Sequence, residues 1–157
     1  MKTIQVGDVY KLHGTASLIV PENTSLEDVI TKFALEPSIR GVFLTDSRGR
    51  LAGVITRVDL LKRTRLQLYG GKGRHEIRPW EFFRIVDAKK AKDLVRSYGK
   101  ELTVRETDNL QTALDKMLDY EEDVIPVIDK EGKILGDLRL SEVLLKALEV
   151  GRGKAYV

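Results

Sequence analysis

Apolar positions along the chain keep two periods in turn, and the succession of periods occurs twice. Leu26, Val29, Ile30 and Phe33 recur at three- and four-residue steps, the buried stripe of a helix predicted over about Ser25 to Leu35. About 83 residues later Leu110, Ala113, Leu114 and Met117 lay down the same stripe. Each stripe is entered through a polar box. Thr24-Ser-Leu-Glu27 has the S/T-x-x-E form that satisfies orphan N–H groups at a helix start, and Asp108-Asn-Leu-Gln111 stands at the matching place. Ser17 to Val20 reads as a short strand that Pro21 ends. Aromatic and Met residues at helical spacing are core packing here rather than a cofactor box.

After each helix the period shortens to two. Val42 to Ile55 and Ile125 to Leu138 read as matched hairpins, in which Asp46, Gly49 and Gly53 reappear as Asp129, Gly132 and Gly136. Gly49 and Gly132 stand where the turn needs a residue tolerant of positive φ, and Asp46 and Asp129 open it through their side-chain acceptors. A last helix follows each hairpin, Val58 to about Thr64 and Ser141 to Val150, with Gly151 as C′ residue. Each copy is thus β-α-β-β-α. A sheet of two or three strands with both helices on one face leaves its other face bare, so the predicted fold is α/β, two pseudo-twofold-related repeats packed through their sheets. The predicted organisation is repeat 1 over 1–66, a basic and aromatic linker over 67–90, and repeat 2 over 91–157.

Composition narrows the chemistry. The 157 residues are 42% hydrophobic and 32% charged, enough for a real core, and contain no Cys. A disulfide scaffold and thiolate zinc sites are excluded, and His13 and His75 are too few for an all-His metal site. No apolar run is long enough for a signal peptide or a spanning helix, which leads to the expectation of a soluble, cytoplasmic protein with no membrane partner. No nucleophile stands beside a recognisable base, so no enzyme is expected. The net charge of +3 is uneven: Lys62 to Lys92 holds 10 basic and 3 acidic residues, a stripe that attracts phosphate groups.

The ordered fragments resemble the tandem cystathionine β-synthase (CBS) domain pair, or Bateman module. They are Val6-Gly-Asp-Val9, Pro21-Glu-Asn-Thr-Ser-Leu-Glu-Asp-Val29 and Asp46-Ser-Arg-Gly-Arg-Leu-Ala-Gly-Val-Ile-Thr-Arg-Val-Asp-Leu-Leu61, then Ala91-Lys-Asp-Leu94, Leu102-Thr-Val104, Ile125-Pro-Val-Ile-Asp129 and Gly132-Lys-Ile-Leu-Gly136. The resemblance covers most of the chain. It implies binding of an adenosine-containing ligand (AMP, ADP, ATP or S-adenosylmethionine) in the cleft between the copies. It further implies a homodimer, and regulation of a separate protein.

The family's ligand motif is complete as Gly53-Val54-Ile55-Thr56-Arg57-Val-Asp59. A helix opening at Thr56 turns free N–H groups toward a crevice, a seat for phosphate that the Thr56 hydroxyl would join, while the Asp59 carboxylate can accept from ribose hydroxyls. The same Thr-x-x-Asp spacing also makes a plain helix cap, and the residues alone leave both readings open. Family topology points to Ala16, Ser17, Leu18, Ile39 and Val42 for adenine, with Phe43 standing where the second copy has Pro126. The second copy reads Gly136-Asp-Leu-Arg139-Leu-Ser-Glu142, which gives no consistent phosphate seat, so one ligand per chain is expected. Arg139, or Arg57, is expected to neutralise the phosphate at Thr56. In the linker, Tyr69-Gly-Gly-Lys-Gly-Arg74 lacks the spacing of a phosphate loop and reads as a mobile basic loop, while Trp80, Phe82 and Phe83 are expected to pack on a neighbouring element or a partner. Two alternatives to the sensor stand: a single-stranded RNA-binding module through this basic and aromatic linker, and a ligand-free dimerisation scaffold.

Overall fold

The computed structural model describes residues 3–10, 17–74, 77–95 and 101–155, so Ala16, His13 and His75 lie outside the described residues. The described chain forms two compact units, Ser17–Lys100, and Met1–Ala16 together with Glu101–Val157. The first holds β1 (Leu18–Pro21), α1 (Leu26–Leu35), β2 (Val42–Thr45), β3 (Leu51–Ile55), α2 (Arg57–Tyr69), α3 (Pro79–Val86) and α4 (Ala91–Leu94). The second holds a 3-10 turn over Val6–Asp8, then β4 (Val104–Arg105), α5 (Leu110–Tyr120), β5 (Val124–Ile128), β6 (Ile134–Arg139) and α6 (Leu140–Ala155). Each sheet has three strands in chain order, a parallel pair followed by an antiparallel hairpin.

In the first unit the period-two pattern sends Val20, Val42, Leu44 and Ile55 to one face, where they meet Leu26 and Val29 of α1, Ile85 of α3 and Leu94 of α4. Phe43 and Val54, cross-strand partners, alternate to the opposite face and are buried as well. The hairpin turns form as the sequence requires. Gly49 and Gly132 have φ of 77° and 87°, and Asp46 Oδ1 accepts from the N–H groups of Arg48 and Arg50 at 2.8 and 2.9 Å, as Asp129 Oδ1 does from Glu131 and Lys133. The Arg50 N–H is the leading cause that holds the Asp46 carboxyl below its ordinary range.

The helix starts correct the sequence reading. The expected Thr24–Glu27 box does not form: Ser25 is the N-cap of α1 and makes no side-chain cap. A distant backbone segment does the work instead. Leu26 N–H donates to Lys89 O at 2.9 Å, and Ala91 and Lys92 N–H donate back to Thr24 O and Glu22 O. The second unit repeats the device, with Leu110 N–H on Ile4 O at 2.9 Å, and Val6 and Gly7 N–H on Asp108 O and Glu106 O. There the Asn109 side chain does cap, accepting from Gln111 N–H. The lead-in of each sequence repeat therefore closes the helix start of the other. The repeat boundaries follow the sequence, whereas the compact units follow these bonds.

Three further expectations change. α2 runs on to Tyr69, past Thr64, because Leu66 is buried and Arg65 caps the exit by donating to Gly70 O and Lys72 O at 2.6 and 2.5 Å. Those bonds tie the glycine-rich stretch read as a mobile loop, where Gly70 and Gly73 take positive φ. α6 passes through Gly151 to Ala155 instead of ending there, which glycine permits at a cost of about 1 kcal/mol relative to Ala. In the linker, Pro79 at the first helical position and Ile85 in the core make α3, with Phe82 against Gly71. Trp80 and Phe83 stay 65% and 63% exposed, among the exposed cations Lys72, Arg74, Arg78, Lys89 and Lys90.

Phe43→Ala removes the bulkiest fully buried side chain, so chemical denaturation should show a loss of roughly 3–5 kcal/mol. A loss below about 1 kcal/mol would mean that Phe43 packs against little.

Candidate functional site

The site starts where β3 stops. Ile55 is the last ladder residue, and Thr56 takes extended dihedrals as the N-cap of α2. One turn on, Asp59 returns to the same place. Its N–H donates to Thr56 Oγ1 at 3.2 Å, Thr56 Oγ1 donates to Asp59 Oδ2 at 2.8 Å, and Thr56 N–H reaches the same oxygen at 3.4 Å. Both residues are buried, at 3% and 0% exposure. The cap reading of Thr-x-x-Asp is thus realised, with the hydroxyl proton spent on the carboxylate.

A fully buried carboxylate requires a counter-charge, and it comes from the linker helix. Arg84 Nη2 of α3 stands 3.6 Å from Asp59 Oδ1. Arg84 Nη1 donates to Leu94 O at 2.7 Å, which ties α3 to the end of α4. Glu81, one turn before Arg84 and also buried, accepts from Lys62 Nζ of α2 at 2.7 Å. Arg63 Nη1 reaches Ile85 O and Ala88 O at 3.3 and 3.2 Å and closes the exit of α3. Two acids and three cations therefore bind α3 over the box.

The other predicted residues are distributed unevenly. Gly53 is buried in β3, and a Cβ there would lie 2.7 Å from Val95 Cγ1, so its hydrogen is needed for the close approach of Val95. Val54 and Ile55 are core, and so is Val42. Ser17 just before β1, Leu18 on β1 and Ile39 before β2 are half-buried. Arg57 is exposed and lies about 200° around the helix from Asp59. It lines an apolar groove of 420 Å³ between α1 and α2, with Ile30, Phe33, Leu60 and Leu61. In the second copy, Arg139 Nε donates to buried Asp137 Oδ1 at 2.9 Å, Arg139 N–H donates to Glu142 Oε1 at 3.1 Å, and Arg139 lines a hollow of 260 Å³ with Asp8, Lys146 and Glu149. The positive charge expected of Arg139 is matched by its own copy. Sequence reasoning missed Glu81, Arg84 and Val95. The i,i+3 pair Glu81 and Arg84 is visible in the linker, but nothing in the sequence ties it to Asp59.

The CBS domain family model matches residues 6–65 and 91–149, and the chain belongs to this family. It is 26% identical over 150 residues to the chloroplastic CBS domain-containing protein CBSX2 of Arabidopsis thaliana, covering 85% of this chain and 60% of that protein. The chain spans about 60% of the length of the curated relatives it matches. Among solved structures, it is similar to a CBS domain-containing protein of Thermotoga maritima at 26% identity, with 95% and 97% of the two chains covered and a TM-score of 0.73. It is also similar to CBSX2 solved in complex with AMP, at 25% identity, 94% and 98% coverage and a TM-score of 0.68. Among the described residues no helix is long and apolar enough to cross a membrane.

Thr56→Val keeps the shape but removes the cap acceptor and the donor to Asp59, so the melting transition should report a loss of about 1–2 kcal/mol. An unchanged melting temperature would show that the box carries no stability.

Proposed function

We propose that the chain is a regulatory, non-catalytic module that binds one adenosine-containing nucleotide at the Gly53–Asp59 turn and conveys its occupancy to a separate protein. The reading is supported by one conjunction. The complete Gly-x-x-Thr-x-x-Asp run of the first copy lies in a chain that is similar over 94% of its length to CBSX2, whose structure holds AMP. Ribose hydroxyls would donate to the Asp59 carboxylate, which offers about four lone-pair sites. The Thr56 hydroxyl would turn from Asp59 to phosphate. Because both side chains are bonded to each other beforehand, binding exchanges hydrogen bonds rather than filling vacancies, which lowers its net gain. Half-buried Ser17, Leu18 and Ile39 would meet the adenine, while Val42 is taken by the core. The second copy lacks both side chains, so the expected stoichiometry is one per chain. AMP, ADP and ATP fit both contacts, and S-adenosylmethionine, which has no phosphate, fits the ribose contact alone.

We further propose that two copies pair through their helix faces. Leu61 on α2, beside the α1–α2 groove, is 68% exposed, and Leu145 on α6 is 65% exposed beside Leu144 and Leu148. Apolar area of this kind on two faces is more than scattered surface residues require.

At a concentration near 100 times its Kd, the bound nucleotide should stabilise the chain by about 2.7 kcal/mol in a thermal-shift assay. Asp59→Asn should abolish the shift while circular dichroism stays native. No shift with any of the four compounds would sink the sensor. Light scattering should give twice the chain mass, and Leu61→Glu with Leu145→Glu should give the monomer; a monomeric unmodified chain would refute the pairing.

A further inference from the structure

We infer that Arg84 on α3 is a ligand-site residue that selects for a phosphate group, an inference that rests on the nucleotide reading above. One end of its guanidinium is fixed, since Nη1 donates to Leu94 O at 2.7 Å. The other end is loosely satisfied. Nη2 stands 3.6 Å from Asp59 Oδ1 and 4.0 Å from Glu81 Oε1, both beyond hydrogen-bond range. Nε and Nη2 are buried and donate to no acceptor among the described residues. Glu81 Oε1 accepts from Lys62 Nζ at 2.7 Å and stands 4.0 Å from Arg84 Nη2.

A guanidinium presents its donors as a planar fork matched to pairs of phosphate oxygens, and unfilled donors of this kind favour an incoming anion. Arg84 offers that fork beside the carboxylate proposed to hold the ribose. Its side chain keeps 20% of its surface while Nε and Nη2 themselves are buried, so a phosphate would meet the fork only as it swings off Asp59. The two arginines expected from sequence are placed otherwise: Arg57 lines the outer α1–α2 groove, and Arg139 donates to Asp137. On binding, the fork would pass from Asp59 to phosphate while ribose hydroxyls take its place as hydrogen-bond donors to the carboxylate. Adenosine, which lacks the phosphate, would leave Arg84 where it is.

The helix carries its own reporter. Trp80, the only tryptophan of the chain, precedes Arg84 by one turn and is exposed. AMP and adenosine titrated into the unmodified chain, Arg84→Met and Arg84→Lys, by calorimetry and by Trp80 emission, test the inference. Arg84→Met should weaken AMP by at least about tenfold and adenosine by less than about twofold, with Arg84→Lys between. In the unmodified chain AMP should change Trp80 emission and adenosine should not, a comparison that stands even where a variant fails to fold. Equal weakening of both ligands, unchanged AMP affinity, or equal Trp80 responses would overturn the role of Arg84 alone. An unmodified chain that binds neither compound would remove the nucleotide reading and Arg84 with it.

Discussion

The structure depends on an exchange of backbone hydrogen bonds between lead-in segments and helix starts. A helix leaves its first N–H groups without internal partners, and here the Leu26 and Leu110 N–H groups are satisfied by Lys89 and Ile4 carbonyls. Both lead-ins are shaped by the same small device, an aspartate three residues on that accepts from the backbone, Asp8 from Gln5 N–H at 2.9 Å and Asp93 from Lys90 N–H at 3.0 Å. The Lys90 N–H is the leading cause that lowers the Asp93 carboxyl below its usual value. Because each lead-in serves the other repeat, the Leu26 and Leu110 N–H groups are satisfied from outside their own repeats. The chain therefore folds as an interlaced pair, and the linker that carries Lys89 into place is a structural part of the first unit.

That role of the linker explains the candidate site. Once residues 89–95 are fixed against α1, the preceding helix α3 is held close to α2, and Arg84 bridges from Asp59 to Leu94 O. The buried Asp59 then has a counter-charge, and Val95 settles against Gly53. Gly53, Thr56 and Asp59 thus each have a packing role: close approach, cap and ion pair. In the nucleotide reading proposed above, stability and binding would draw on the same three residues, and a ligand would have to outcompete bonds that already exist, including the Arg84 contact from α3.

Most of the fold was legible because it is written in local periods. The β-α-β-β-α order, both hairpins and their Asp and Gly positions follow from residues within fifteen of each other in the chain. What was not legible depends on distant partners. The Thr24–Glu27 box has the right letters, yet a backbone carbonyl sixty residues away takes its place. α2 outruns its predicted end because Arg65 folds back onto the glycine loop, a contact that periodicity does not encode. For the candidate site, the Thr56–Asp59 pair was legible as a spacing, and its alternatives were left open by that spacing. Arg84 was not legible, since its partner lies on another helix.

The asymmetry between the copies is then a matter of where each obtains its counter-charge. In the second copy, Asp137 and Glu142 surround Arg139, which belongs to the turn itself: the cation is two residues from one acid and three from the other. In that triad Arg139 Nε donates to Asp137 Oδ1 at 2.9 Å and stands 3.9 Å from Glu142 Oε1, while Arg139 Nη2 is buried without an acceptor among the described residues. In the first copy the turn carries only Thr56 and Asp59, and the cation arrives from α3 at 3.6 Å. A counter-charge on a separate helix can be drawn off by a ligand without dismantling the turn, whereas one built into the turn cannot. The same duplicated backbone in this way holds an ion pair between two helices in one copy and an ion pair within the turn in the other, the difference residing in Thr56 against Arg139.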